Sequence, residues 1–247
     1  MNRVAVISDI HGNILALEQV AADIKRRGVD AVFNLGDHVS GPLWPRETIE
    51  YLIGQDWIHI AGNHDRQIVE TNPQGHGLSD RYAFQRLDEA QRQWLMALPG
   101  TIAIEEGLLL FHGSPSSDTT YLLETIEHGR GRLASRAEIT RRLGGAHSPV
   151  MLCGHTHIPR AVALPGTILI VNPGSVGLPA YSDEVPHPHV LETGSPHARY
   201  AILERRAGQW NVELIMVSYD HERAAGQARR NDRPDWSAGL QTGFATV

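Results

Sequence analysis

A short apolar run near the start of the chain, residues 4–7, is followed by Asp9, His11 and Gly12. An apolar run that stops abruptly at polar residues predicts a buried strand that delivers side chains to the edge of a sheet. Carboxylate and imidazole are ligands of borderline divalent ions, and residues two apart in an extended turn can reach one ion together. The pair alone is weak evidence, because Asp and His occur two apart by chance in many chains.

The same pattern recurs at four further apolar runs. Each run is predicted to be a strand, and each ends at carboxylate, amide or imidazole side chains. The residues at these strand ends are Asp37, Asn63, His64, Asp65, His112, His155 and His157. Asn, Asp and Gly are also ordinary turn residues. Because every one of these turns carries metal-compatible groups, we expect one metal site built from several strand ends.

The segments between the first runs predict helices that place these strand ends together. Residues 14–27 have amphipathic spacing and end in a basic turn, and residues 47–53 suit a second helix. A strand, a helix and a second strand form a right-handed crossover, which puts both strand ends on one edge of a parallel sheet. We therefore expect Asp9 and Asp37 to lie side by side.

The chain from residue 101 onward is rich in predicted strands. Hairpins are expected at residues 101–111, with a turn at 105–107, and at residues 161–171, and a strand pair is expected within 199–217. This pattern predicts a second sheet packed on the first, with helices outside both.

Further helices are predicted from their capping residues. Asp88 with Gln91, and Ser135 with Glu138, have the spacing of capping boxes. Residues 220–231 predict a basic helix.

Three polar stretches are predicted to be surface loops. They are residues 66–79, residues 116–131 with a short helix at about 121–126, and the Pro- and His-rich residues 181–196. The tail at 233–247 has no clear pattern. We expect one domain over residues 1–247, with a helical or irregular C-terminal tail from about residue 219.

The composition indicates a globular protein and excludes some classes of partner. Of 247 residues, 41% are hydrophobic and 20% are charged. The net charge of -6 argues against a general nucleic-acid binder or a protein of anionic membranes. Cys153 is the only cysteine, the N-terminus has no hydrophobic region of a signal peptide, and no apolar run approaches the ~18 residues of a membrane span. These features predict a cytoplasmic protein.

The ordered strand-end residues resemble the motifs of the calcineurin-like metallophosphoesterases. The blocks of that family read Asp-x-His, Gly-Asp, Gly-Asn-His-Asp/Glu, His and Gly-His-x-His, and all are present here in order. The segment Asn172-Pro173-Gly174-Ser175 also resembles one that is frequent in bacterial members. The resemblance implies an α/β fold, a four-layer α-β-β-α sandwich of two mixed sheets flanked by helices.

The resemblance also implies a site with two divalent metal ions. Asp9, His11 and His157 would hold the first ion, Asn63, His112 and His155 the second, and Asp37 would bridge them. Manganese or iron is favoured, and zinc, nickel or cobalt would suit the same ligands.

The family mechanism that this implies is attack by a hydroxide that bridges the two ions. His64 would protonate the leaving group as a general acid, and Asp65 would hydrogen-bond His64. The catalytic residues expected on this basis are His64 and Asp65.

Departures from the family motifs favour a phosphodiesterase acting on a small phosphoester. Protein phosphatases extend the second block to Gly-Asp-x-x-Asp-Arg-Gly, where residues 36–42 of this chain read Gly-Asp-His-Val-Ser-Gly-Pro. The arginine of that block, which would favour a doubly charged monoester, is therefore missing. Purple acid phosphatases place a tyrosine three residues after the bridging aspartate, where this chain has Ser40. His38 and Arg66 are expected to contact substrate.

A phosphomonoesterase or protein phosphatase is the alternative, and a non-catalytic protein-binding scaffold is less favoured; the natural substrate and the oligomeric state stay open.

Overall fold

The computed structural model describes residues 1–70, 72–105, 107–166 and 168–246. Within them the helices are α1 Ile14–Arg27, α2 Pro45–Ile53, α3 Asn63–Glu70, α4 Leu78–Phe84, α5 Glu89–Met96, α6 Arg136–Leu143, α7 His221–Arg230 and α8 Pro234–Thr242, with a 3-10 helix at Pro73–Gly75. The strands are β1 Arg3–Ile7, β2 Ala31–Asn34, β3 Ile58–His59, β4 Thr101–Ile104, β5 Leu108–Phe111, β6 Glu124–Glu127, β7 Arg130–Leu133, β8 Val150–Leu152, β9 Arg160–Leu164, β10 Ile168–Asn172, β11 Ala180–Asp183, β12 His189–Glu192, β13 Ala198–Arg206 and β14 Gln209–Val217.

The first sheet has the strand order β14-β13-β1-β2-β3. Strands β1, β2 and β3 are parallel, and the hairpin β13-β14 runs antiparallel to β1. The register puts Val4 opposite Ala31 and Ile7 opposite Asn34, so the turns after β1 and β2 leave the sheet at the same edge. The predicted crossover through α1 is confirmed.

The second sheet has the strand order β4-β5-β8-β10-β9, in which β5, β8 and β10 are parallel. Leu110 is paired with Leu152, so β5 and β8 also end together. Beyond the paired residues, the N–H of Gly154 donates to the carbonyl of His112 at 2.7 Å. The turns that carry His112 and His155 are therefore joined directly.

Alternating side chains on the strands separate the layers of the core. Val4 and Val6 of β1 pack with Leu110 and Leu152 between the two sheets. On the opposite face of β1, Ile7 belongs to the cluster that includes side chains of α1 and α7. On the outer face of the second sheet, apolar side chains pack against α6. The predicted four-layer α-β-β-α sandwich is confirmed.

A third sheet of four strands, in the order β11-β12-β7-β6, was not expected from the sequence. The prediction of loops at 116–131 and 181–196, with a short helix near 121–126, is wrong in these parts. The strands of this sheet are short, and β7 carries mainly exposed polar residues, so they have no apolar periodicity. The pairs β6-β7 and β11-β12 are local hairpins, and the two hairpins form one sheet only because β12 pairs with the distant strand β7.

The prediction of a loop at 66–79 is also corrected, because this stretch contains most of α3, the 3-10 helix and the start of α4. The tail, expected to be helical or irregular, contains the helices α7 and α8. The boundary of α3 was missed because the helix begins at Asn63, inside a motif that was interpreted as a turn. Both predicted capping boxes are present, at the starts of α5 and α6.

The predicted hairpins β4-β5 and β9-β10 are present. The expected turn residue Glu106 and the expected strand residue Thr167 lie outside the described residues. No helix in the part of the chain that the structure describes is long and apolar enough to cross a membrane.

A buried carboxylate links α1 to the first sheet. Asp23 of α1 accepts hydrogen bonds from the hydroxyl of Tyr200 on β13, from Arg26 at 2.6 Å and from Arg27 at 2.9 Å. Burial by itself raises the pKa of Asp23, but these three donors outweigh it and leave the pKa below its ordinary value. Its ionised form therefore stabilises the folded state.

Replacing Asp23 by Asn should lower the free energy of unfolding at pH 7 by about 1–2 kcal/mol, because a charge-assisted hydrogen-bond acceptor is lost. A carboxyl whose pKa is depressed in the folded state stabilises above its unfolded pKa of ~4 and loses that contribution as the pH falls. Urea denaturation at pH 7 and pH 3 should therefore show a smaller difference in free energy of unfolding between the wild type and Asp23→Asn at pH 3. The exposed Asp56, as Asp56→Asn, is the control; an unchanged difference for Asp23→Asn would contradict the assignment.

Candidate metal centre and active site

The strand ends bring the sequence-predicted ligands together in two groups of side chains. Among the described residues, Asp9, His11 and His157 form one group, and Asp37, His112 and His155 form the other. In each group the possible ligand atoms all lie within 4.8 Å of one another. These are the same groups that the family resemblance implied, with Asn63 adjoining the second: its Oδ1 lies 3.1 Å from Nε2 of His112.

The turns that present these side chains have an unusual backbone conformation. Positive φ angles of 52–68° occur at five of the candidate ligands, namely Asp9, His11, Asp37, His155 and His157. Such angles are uncommon for residues other than glycine and cost free energy, so they persist only where surrounding contacts impose them. The buried strands β1, β2 and β8 and the hydrogen bonds between neighbouring turns supply those contacts.

Backbone carbonyls fix the orientation of three of the imidazole rings. Nδ1 of His11 donates to the carbonyl of Ser40, Nδ1 of His157 to that of Leu178, and Nδ1 of His112 to that of Leu35, each at 2.7 Å. A carbonyl oxygen only accepts, so Nδ1 carries the proton and Nε2 faces the centre of the site. This is the arrangement by which proteins orient metal-binding histidines.

The closest pair of ring nitrogens supports the binding of a cation. Nε2 of His11 lies 3.1 Å from Nε2 of His157. In the neutral rings each of these two nitrogens carries a lone pair. Two lone pairs that face each other repel, unless a proton or a metal ion lies between or beside them. Burial, followed by the nearby His157, lowers the pKa of His11 to about 4, so His11 does not supply that proton at neutral pH.

Asp37 connects the two groups. Its Oδ2 lies 3.2 Å from Nε2 of His112 in one group and 3.8 Å from Nε2 of His11 in the other. Its Oδ1 accepts the backbone N–H of His64 at 2.9 Å. One carboxylate oxygen is thus within reach of both groups, which is the geometry needed for an aspartate that bridges two ions.

The buried carboxylates attract positive charge strongly. Burial raises the pKa of Asp37, but the adjacent histidines outweigh it and lower the pKa well below its usual value. Burial lowers the pKa of His112, but Asp37 and Asp9 outweigh it and raise the pKa to about 10. A divalent cation would take over the charge that a proton on His112 otherwise supplies, and its binding would release that proton. The donor set of carboxylates and imidazoles therefore fits two divalent ions.

His64 lies beside this centre, with its side chain one-third exposed. Its ring is 5.6 Å from that of His11, and its Nδ1 lies 2.8 Å from Oδ1 of Asp80. Burial lowers the pKa of His64, but Asp37 and Asp80 outweigh it and raise the pKa to about 9. The partner of His64 was missed in the sequence because Asp80 lies in a segment that matched no motif.

The prediction that Asp65 hydrogen-bonds His64 is wrong. The fully buried carboxylate of Asp65 accepts the backbone N–H groups of Gly62, Asp37 and His38 at 2.8–3.0 Å. It also pairs with Nδ1 of His38 at 2.7 Å. In α3 the side chains of consecutive residues point in different directions, so Asp65 faces the interior while His64 faces the site. Asp65 is positioned to hold the turn that carries Asp37.

The two residues expected to contact substrate also lie elsewhere. His38 is fully buried against Asp65, so the prediction that it contacts substrate is wrong. The guanidinium of Arg66 is bound by both carboxylate oxygens of Asp118, at 2.6 and 3.0 Å, and does not support the predicted substrate contact. The direction of each side chain is decided by its tertiary partner, Asp65 for His38 and Asp118 for Arg66.

The candidate centre opens into a cleft of about 510 Å³. His11, Asp37, Asn63, His64, His155 and His157 line its floor. Tyr121, Tyr181 and Asp183, from the third sheet and the segment before it, form one wall, and Trp236 and Arg233 at the start of α8 form another. The walls come from the segments that the sequence predicted as loops or as an uninformative tail.

The fold and these two groups define a candidate dinuclear metal site at the common edge of two packed sheets. The sequence matches the calcineurin-like phosphoesterase superfamily domain over residues 2–195, and the chain belongs to this family. The predicted membership is thereby confirmed.

Several relatives resemble the whole chain. A metallophosphoesterase from Sphaerobacter thermophilus is 26% identical, with a TM-score of 0.73, and the match covers 97% of this chain and 98% of that one. An uncharacterised protein of Methanocaldococcus jannaschii is 25% identical over 265 residues, 94% of each chain. A hypothetical protein from Pyrococcus horikoshii has the same fold, with a TM-score of 0.74 at 20% identity over the full length of both chains.

Gly62 provides a test of how closely the carboxylate of Asp37 is confined. A Cβ atom at this position would overlap Oδ1 and the backbone nitrogen of Asp37. Gly62→Ala should therefore displace that carboxylate and weaken binding of Mn²⁺ about 10- to 100-fold, the usual cost of disturbing the support of a metal ligand. Gly100, where an added Cβ meets nothing within 4 Å, is the matched control as Gly100→Ala. Mn²⁺ titration followed by metal analysis measures the effect, and wild-type affinity in folded Gly62→Ala would refute it.

Proposed function

We propose that this protein is a dinuclear metal-dependent phosphoesterase that hydrolyses phosphodiester bonds. The observation that carries the proposal is the position of the Asp37 Oδ2, within 4 Å of imidazoles of both groups, with His64 at the side of the same cleft. Asp9, His11 and His157 would hold one ion, and Asn63, His112 and His155 the other. Manganese or iron is the favoured metal, and the substrate would be a small phosphoester.

Each part of the site has a role in this proposal. When bound, two divalent ions would lower the pKa of water and offset the charge of the phosphoryl oxygens. His64 lines the cleft and can donate a proton to the leaving oxygen as the bond from phosphorus to that oxygen breaks. A water oxygen forms the new bond to phosphorus and gives up its proton to solvent. The products are an alcohol and a phosphomonoester.

A diester is preferred on the basis of the charges around the cleft. The second negative charge of a monoester is usually bound by a guanidinium group. Arg66 is committed to Asp118, and Asp183 adds a negative charge to the wall of the cleft. These features support a substrate with a single negative charge.

One observation favours phosphomonoester hydrolysis as the second candidate. Arg233 lines the cleft and could meet a second phosphate charge. Its guanidinium already donates hydrogen bonds to Asp235 at 2.6 Å and to the hydroxyl of Ser79 at 2.8 Å. A phosphodiester therefore stays the preferred substrate. A scaffold without catalysis would have no need for a complete set of ligands with His64 beside them.

The first test compares a diester with its monoester. Purified protein with Mn²⁺ should hydrolyse bis(p-nitrophenyl) phosphate faster than p-nitrophenyl phosphate, and a chelator should abolish the reaction. Asp37→Asn keeps the shape of the bridging residue but removes its charge, so it should lose the activity together with bound Mn²⁺, whereas Asp56→Asn should keep both. Faster hydrolysis of the monoester would favour the second candidate, and turnover of neither would favour a scaffold.

The second test concerns the proposed acid. With methyl phenyl phosphate, whose phenolate leaving group is strongly basic, His64→Ala should lower kcat by about 10²- to 10⁴-fold, the usual contribution of general acid catalysis. Its metal content should match the wild type, because His64 is in neither ligand group. The exposed His147, as His147→Ala, is the control. Loss of bound metal in His64→Ala would show that this histidine is a ligand instead of the acid.

A further inference from the structure

Asp80 is a buried carboxylate behind the catalytic side of the cleft. It lies in the first turn of α4, is 6% exposed, and its Oδ1 lies 2.8 Å from Nδ1 of His64. A carboxylate accepts hydrogen bonds, so Nδ1 carries a proton toward Asp80 and Nε2 is directed to the other side of the ring. Because His64 lines the cleft, its Nε2 edge is available to a bound substrate.

Ser40 completes this arrangement from a different element. Its hydroxyl donates to the same Oδ1 of Asp80 at 2.6 Å, and its backbone carbonyl accepts Nδ1–H of His11 at 2.7 Å. Ser40 is fully buried. One residue therefore connects a candidate ligand of the first ion with the partner of His64.

The supporting helices are packed together. α4 contacts α3, the helix that begins at Asn63, and Ala83 of α4 shares an apolar cluster with Ile68 of α3. The distance between Asp80 and His64 is thus set by packing between two helices, as well as by the hydrogen bond itself.

We propose that Asp80, held by Ser40, is the positioning residue that orients His64 for proton delivery to the leaving oxygen. This inference rests on the proposed function. Asp80 does not touch the substrate, and its effect is exerted through the ring of His64. The hydroxyl of Ser40 and Nδ1 of His64 both donate to Oδ1 of Asp80, so Ser40 holds the oxygen that orients the ring of His64.

The test uses the dependence of rate on the leaving group. Aryl methyl phosphates with leaving groups from 4-nitrophenol to unsubstituted phenol keep the size of the substrate nearly constant. A weakly basic phenolate leaves without a proton, whereas a strongly basic one needs an acid in position. Asp80→Asn with Mn²⁺ should therefore lose about 10- to 100-fold in kcat for phenol and much less for 4-nitrophenol. Ser40→Ala should show a smaller loss with the same trend.

A double variant separates positioning from a general structural effect. If Asp80 acts through His64, then Asp80→Asn should have little further effect in a His64→Ala background, since interacting residues are not additive. Asp23→Asn, a matched change of another buried hydrogen-bonded aspartate, should not alter the trend with leaving group. Metal analysis and thermal denaturation of each variant show that the ions and the fold are retained.

The outcomes distinguish this inference from the proposed function. If wild-type protein with Mn²⁺ hydrolyses none of the esters, the proposed function fails. If the wild type is active but Asp80→Asn slows all leaving groups equally, has no effect, loses its ions, or adds its full effect to that of His64→Ala, the positioning role is overturned.

Discussion

The carboxylate of Asp37 is the group on which the rest of the site depends. It must approach imidazoles from both sheets while its own backbone is in a left-handed conformation. Three devices confine it: the absence of a side chain at Gly62, the N–H of His64 on Oδ1, and the carboxylate of Asp65 on its backbone nitrogen. None of them is a reacting group, yet each limits where the carboxylate oxygens of Asp37 can lie.

Hydrogen bonds from the candidate ligands also stabilise the turns at the sheet edge. The carbonyls that orient the histidines belong to Leu35, Ser40 and Leu178, residues in or beside the turns that carry other parts of the site. Backbone acceptors that would otherwise be buried without partners are satisfied by imidazole N–H groups. The left-handed turns are therefore maintained by contacts that also aim the ligands, and strain at one turn is offset by hydrogen bonds to its neighbours.

The floor of the cleft, with its candidate metal ligands, and the cleft walls differ in how far they could be predicted. The floor follows from apolar runs that end in Asp, Asn or His, because parallel strands bring such ends to one edge. The walls depend on β11, on Tyr121 and on α8, which have weak local patterns. Tyr121 lies in a stretch predicted as a loop, yet its hydroxyl lies 3.1 Å from Nε2 of His189, a histidine that was expected to be exposed and is 4% exposed. Such pairings between distant segments leave no mark in either segment alone.

The sequence by itself determined the class of fold, the order of the strand ends and the identities of the residues that could bind metal. These depend on local periodicity and residue chemistry, which can be recognised along the chain. The tertiary structure alone decided the partners: Asp80 beside His64, Asp65 behind Asp37, and Asp118 on Arg66. Neighbouring residues of a helix point in different directions, so the packing of α3 against α4 and the sheets, and not proximity in sequence, decides which carboxylate meets which base.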